Sequence, residues 1–105
     1  MVDYQTFKKI YDIAFGEPEF NIIFKQKDSE YMIIKYPDGP TFQRQGFENG
    51  SGEFHYDTLD ELYESYLIDG INLKRDWEEI ETIYPNEYGT LEELYISSKA
   101  TDETL

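Results

Sequence analysis

Between residues 19 and 56 three short turn signals cut the chain into runs of five to nine residues, and that spacing leaves few folds open. Asp28-Ser29 is the first signal. Pro37-Asp38-Gly39-Pro40 is the second, where proline presets φ and glycine takes a positive φ. Glu48-Asn49-Gly50-Ser51 is the third and contains Asn-Gly, a strong two-residue hairpin signal. Connections this short cannot return the chain to a parallel neighbour. The spacing therefore predicts a four-stranded antiparallel meander over Glu19–Lys27, Glu30–Tyr36, Thr41–Phe47 and Gly52–Tyr56.

Loop parity decides which side chains share a face. An odd-length loop at 27–30 groups Phe20, Ile22 and Phe24 with Met32, Ile34 and Tyr36. A two-residue loop groups them with Tyr31, Ile33 and Lys35 instead, seating a lysine among apolar neighbours. The odd loop is the expectation. Either parity leaves some of Ile23, Tyr31, Ile33 and Phe47 on the opposite face, a candidate apolar binding patch unless the third helix or the tail covers it.

Before the meander, Asp3 suits an N-cap, and Phe7, Ile10, Tyr11 and Ala14 recur at helical spacing. Gly16 and Pro18 end the predicted helix at about residue 15. After the meander the pattern turns helical. Thr58-Leu59-Asp60-Glu61 is a capping box opening a helix over 58–67, with Leu59, Leu62, Tyr63 and Tyr66 as its stripe. Asn72 suits the cap of a third, in which Leu73, Trp77, Ile80 and Tyr84 fall at i, i+4, i+7 and i+11, ended by Pro85. Thr90-Leu91-Glu92-Glu93-Leu94-Tyr95 repeats the chemistry of residues 58–63 and predicts a short last helix over 90–97. The expected fold class is α+β: an N-terminal helix, the meander, then two to three short acidic helices. One domain spans 1–97, with a frayed tail at 98–105.

Charge divides unevenly between the halves. Residues 1–56 carry 9 acids against 6 bases, whereas residues 57–105 carry 14 acids against Lys74, Arg75 and Lys99, within a net charge of −14. That balance opposes direct contact with nucleic acid or an anionic membrane, which both recruit lysine and arginine. It suits a protein partner with a basic surface. Aromatic residues at 17% argue against disorder, since they bury much area per residue. Eleven isoleucines beside two arginines and two alanines suggest an AT-rich coding sequence of the bacterial or phage kind.

Catalytic signals are weak. The chain has no cysteine, hence no thiolate nucleophile and no cysteine-based metal site. Its one histidine, His55, lies between Phe54 and Tyr56 with no nucleophile linked to it in sequence. Asp57, Asp60 and Glu61 offer a weak cation site, yet they complement a helix N-terminus equally well. Gly46, Gly50 and Gly52 lack the Gly-Lys-Ser/Thr of a phosphate loop. No cofactor and no metal are expected. The opening Met-Val-Asp-Tyr has neither the basic nor the apolar region of a signal peptide, and no run approaches membrane-spanning length, so a cytoplasmic location is expected.

The functional expectation is a non-enzymatic interaction domain that binds a basic or an apolar protein surface. The candidate contacts are Glu61, Glu64, Glu78, Glu79 and Glu81 on the helices, and Tyr31, Ile33 and Phe47 on the sheet. The alternative is a bacterial or phage inhibitor of immunity type, acting as a polyanion that mimics nucleic acid. Homodimerisation through sheet faces or edges is compatible with either. A small hydrolase or isomerase using paired carboxylates is the reading from a different class.

Overall fold

Asp3 opens the first helix as expected: its side chain accepts the Thr6 N–H at 2.8 Å, and α1 runs Tyr4–Ile13. The computed structural model describes residues 2–46 and 54–103. Three strands follow, β1 (Glu19–Phe24), β2 (Glu30–Tyr36) and β3 (Gly39–Arg44), with a short β4 (Phe54–His55) beyond them. All are antiparallel, and their succession is the expected meander. Gly39 is obligatory at the second turn. Its φ is +129°, and a Cβ there would lie 2.1 Å from the Tyr56 carbonyl oxygen.

The second half departs from the helical expectation. Thr58 caps α2 (Leu59–Glu64) by accepting the Glu61 N–H at 3.1 Å. Asn72 caps α3 (Leu73–Asp76) by accepting the Arg75 N–H at 2.9 Å. The same Asn72 side chain donates to the Glu64 and Ser65 carbonyls, tying the end of α2 to the start of α3. After one 3-10 turn at Trp77–Glu79 the backbone extends into β5, Ile80–Pro85. The predicted third helix is thus corrected to one helical turn, a 3-10 turn and a strand. Ile80, Thr82, Ile83 and Tyr84 are all strand-favouring types, and β1 has a second edge to satisfy. β5 pairs there, giving the order β4-β3-β2-β1-β5.

The last helix, α4, runs Leu91–Glu103, well past the expected end at 97. Ser98, expected in the frayed tail, is 1% exposed and accepts the Phe15 N–H. The strand β5 changes the element order to α-ββββ-α-α-β-α within the expected α+β class.

Register overturns the expected loop parity. Phe20 pairs with Ile33 and Ile22 with Tyr31, so Tyr31, Ile33 and Lys35 join Phe20, Ile22 and Phe24 on one face. Phe42 and Ile83 extend that face through β3 and β5. All four helices pack over it: Phe7, Leu62, Leu73 and Leu94 share one buried cluster with these strand residues. Trp77 sits among Tyr4, Phe7 and Tyr63, and its Nε1 donates to the Val2 carbonyl at 3.1 Å.

Lys35 escapes the apolar seat that the sequence reading feared. Its ammonium reaches the exposed end of α1 and donates to the carbonyls of Tyr11 (2.8 Å), Asp12 (3.2 Å) and Ala14 (2.9 Å). Those are groups a helix C-terminus leaves without partners, and they carry its negative dipole end. Burial pulls the lysine below its ordinary pKa, with Asp12 opposing the shift.

A second long-range tie holds the 68–70 turn. Asp69 adopts φ +59° and accepts from Tyr31 Oη at 2.6 Å and from Arg44 Nη1 at 3.0 Å. The Tyr31 hydrogen bond, chiefly, and Arg44 hold its carboxyl below the usual range, while burial pushes Tyr31 up to about 12. A lowered carboxyl pKa contributes stability that is present above the unfolded-state value and disappears as pH falls through the folded value. Asp69→Asn, which tolerates the same backbone conformation, is expected to destabilise the fold at pH 7 by about 1–2 kcal/mol. The deficit should shrink as pH falls below about 4, where the unfolded-state carboxyl protonates, and be fully lost only below the lower folded-state value. Urea unfolding of both proteins at pH 7 and pH 3 checks this, and a deficit independent of pH would contradict it.

Candidate partner-binding surfaces

Nearly every basic side chain is engaged within the molecule. Lys8 meets Asp60 at 2.6 Å, Arg44 meets Asp69 at 3.0 Å, Arg75 meets Asp76 at 2.7 Å and Lys74 approaches Glu64 at 3.8 Å. Lys25 donates to the Glu78 carbonyl, and Lys35 to the end of α1. Lys9 and Lys99 both lie within 6 Å of the Tyr95 ring. The paired acids respond. Lys8 foremost, then Tyr4, lowers the Asp60 pKa; Arg75, then the Asn72 N–H, lowers that of Asp76.

Most of the other described acids are exposed. Glu61 and Glu64 lie on the exposed side of α2. Glu78 and Glu79 are exposed too, in the 3-10 turn rather than on a third helix. Glu81 is exposed on β5, where two β5 residues oppose Phe24 in a bulge. An edge strand that carries a bulge, an outward carboxylate and a terminal Pro85 resists pairing with another chain, which accounts for this placement without a partner.

The apolar half of the candidate set fares differently. Tyr31 is 2% exposed and Ile33 0%, both beneath the helices, so neither belongs to an open sheet patch. The reversed loop parity is the cause. Phe47 lies outside the described residues. The helix-free face instead presents Ile23, Met32, Tyr36, Gln43, Thr82 and Tyr84, mixed in polarity and mostly half-buried. At its centre Asn21, 3% exposed, is satisfied by Gln45, Asn86 and the Tyr84 carbonyl. Asn86 in turn binds Glu19.

His55 is on this face, 3.7 Å from exposed Asp38. Among the described residues no group of three His, Cys, Asp or Glu side chains is placed to hold a metal ion. No helix among them is long and apolar enough to cross a membrane.

Recesses open along α1 and just beyond its end. A broad, shallow one of about 510 Å³ lies between α1 and the β2–β3 turn, lined by Lys8, Asp12, Lys35, Asp38 and Asp60 among others. A smaller one of about 300 Å³ opens at the end of the sheet, between the α1–β1 and β5–α4 connections. Sequence reasoning missed the smaller recess. Its one signal was Phe15, a large apolar residue one position beyond the helical stripe.

The chain matches no known family model, no curated protein and no solved structure.

Proposed function

We propose that this chain is a non-enzymatic interaction domain whose exposed carboxylates bind a basic surface on a protein partner. The observation supporting it is the asymmetry just described: lysines and arginines are taken up by the chain's own acids, carbonyls and rings, whereas Glu61, Glu78, Glu79, Glu81, Glu92 and Glu93 face outward. Outward charge of one sign steers and selects an oppositely charged partner more than it adds raw affinity. The narrower alternative, a bacterial or phage inhibitor that occupies a basic nucleic-acid groove, draws on the same carboxylates at two places, α2 and the edge of the sheet.

The test uses lysozyme as a basic probe protein, titrated calorimetrically at about 20 and 200 mM salt. Affinity is expected to fall at least tenfold across that range. The triple variant Glu78→Gln, Glu79→Gln, Glu81→Gln is expected to weaken binding more than Asp12→Asn, Asp28→Asn, Asp38→Asn, which removes equal charge at exposed positions elsewhere. Binding indifferent to salt and to both variants would sink the reading. Displacement of a DNA oligonucleotide from a basic nuclease would favour the inhibitor alternative.

A further inference from the structure

We infer that the recess at the end of the sheet is a pocket for one cationic side chain of the partner, an arginine above all; the inference rests on the basic-partner reading and sharpens it. Its volume, about 300 Å³, is at the small end of ligand pockets and ample for a guanidinium with its adjoining methylenes. Three acidic residues line it, Glu17, Glu19 and Glu87, and among the described residues no lysine or arginine does. Two aromatic rings complete it. Phe15 and Tyr88 meet edge to face, centroids 5.9 Å apart at 67°.

Phe15 is the telling member. Phe7, Phe20 and Phe42 are wholly buried, whereas Phe15 is 41% exposed with its ring against Tyr88. Three other rings lie near cations of the chain itself: buried Tyr11 near Lys35, exposed Tyr66 near Arg75, and Tyr95 near Lys9 and Lys99. The Phe15–Tyr88 pair is lined by Glu17, Glu19 and Glu87, a setting for a cation that a partner would bring. A planar guanidinium suits both, stacking on a ring while its N–H groups meet carboxylate oxygens.

The walls are held before any ligand arrives. Pro18 and Pro85 restrict the backbone on the two sides. The Phe15 N–H is tied to buried Ser98, and Glu19 is tied both through its carbonyl to the Asn86 N–H (3.0 Å) and through its side chain to the Asn86 amide. Pre-organisation of this kind lowers the ordering cost of binding.

The experiment titrates the 15N-labelled full chain with Nα-acetyl-arginine amide and, in parallel, with Nα-acetyl-citrulline amide, its uncharged isostere. Saturating shifts confined to residues 15–19 and 85–88 are expected for arginine, with citrulline at least tenfold weaker. Phe15→Ala and the pair Glu17→Gln, Glu87→Gln should each weaken arginine binding about fivefold or more, and should weaken lysozyme binding in the same order. Phe15 is exposed and the two glutamates lie on the surface, so the second variant keeps the test alive if the first unfolds. Equal response to citrulline, or shifts spread evenly over Glu61, Glu64 and Glu78, would overturn the pocket. Salt-sensitive lysozyme binding that ignores both variants would overturn it while leaving the general acidic-surface reading intact.

Discussion

Phe7→Ala is expected to remove about 3–5 kcal/mol of stability, a large share of the 5–15 kcal/mol typical of a domain this size. Phe7 is fully inaccessible and sits where α1, the sheet and the 77–79 turn converge. Its ring meets Phe20 edge-on at 5.2 Å, Trp77 at 5.8 Å and Tyr11 at 6.4 Å. Removing it strands three large, stiff rings around a cavity, and stiff rings collapse poorly into free space. Phe7→Leu, which keeps most of the volume, should cost roughly 1 kcal/mol. Urea unfolding checks both, the midpoint falling steeply for alanine with the slope unchanged. A loss below about 1 kcal/mol for Phe7→Ala would mean that α1 is not the principal cover of the sheet.

Lys35→Met should cost about 2–3 kcal/mol, more than an exposed lysine is worth. Methionine keeps much of the stem's packing but leaves the carbonyls of Tyr11, Asp12 and Ala14 without their shared donor. It also uncovers the negative end of the α1 dipole. Because the lysine head is partly buried, the deficit should persist at about 0.5 M salt, whereas a surface pair such as Lys74–Glu64 should fade there. Lys35→Arg should recover part of the loss, being able to donate though not from the same point. A Lys35→Met deficit that vanished in salt would reduce this contact to ordinary surface electrostatics.

That lysine also shows where sequence reasoning went astray. Weighing the two loop parities, the apolar environment counted against seating Lys35 beside Phe20 and Ile22. The orphan carbonyls of α1 lie more than twenty residues upstream, and nothing in the local pattern announces that they converge on β2. With the parity reversed, Tyr31 and Ile33 became core and lost their standing as contacts. The candidate acids were easier. Glu61, Glu64, Glu78, Glu79 and Glu81 are exposed because surface carboxylates stay hydrated, Glu64 meeting only exposed Lys74, a rule that holds whatever element carries them. The recess beside Phe15 needed two connections seventy residues apart to meet, and no single stretch of chain encodes that.

Caps and the Gly39 turn were readable because their chemistry spans three or four residues: Asp3, Thr58, Asn72 and Thr90 each accept the N–H three positions on, and Gly39 turns the chain between Pro37 and Pro40, whereas the Glu48-Asn49-Gly50-Ser51 turn lies outside the described residues. Strand β5 was not readable in this way. Leu73, Trp77, Ile80 and Tyr84 satisfy a helical period and, from Ile80 onward, a strand period as well, so periodicity alone cannot choose. The choice fell to β1, whose unpaired edge offers the Ile80–Pro85 backbone a ladder of hydrogen bonds that a lone short helix could not match. Local hydrogen-bond chemistry travels with the residues themselves. Competition for backbone partners is settled only when distant segments come within reach of one another.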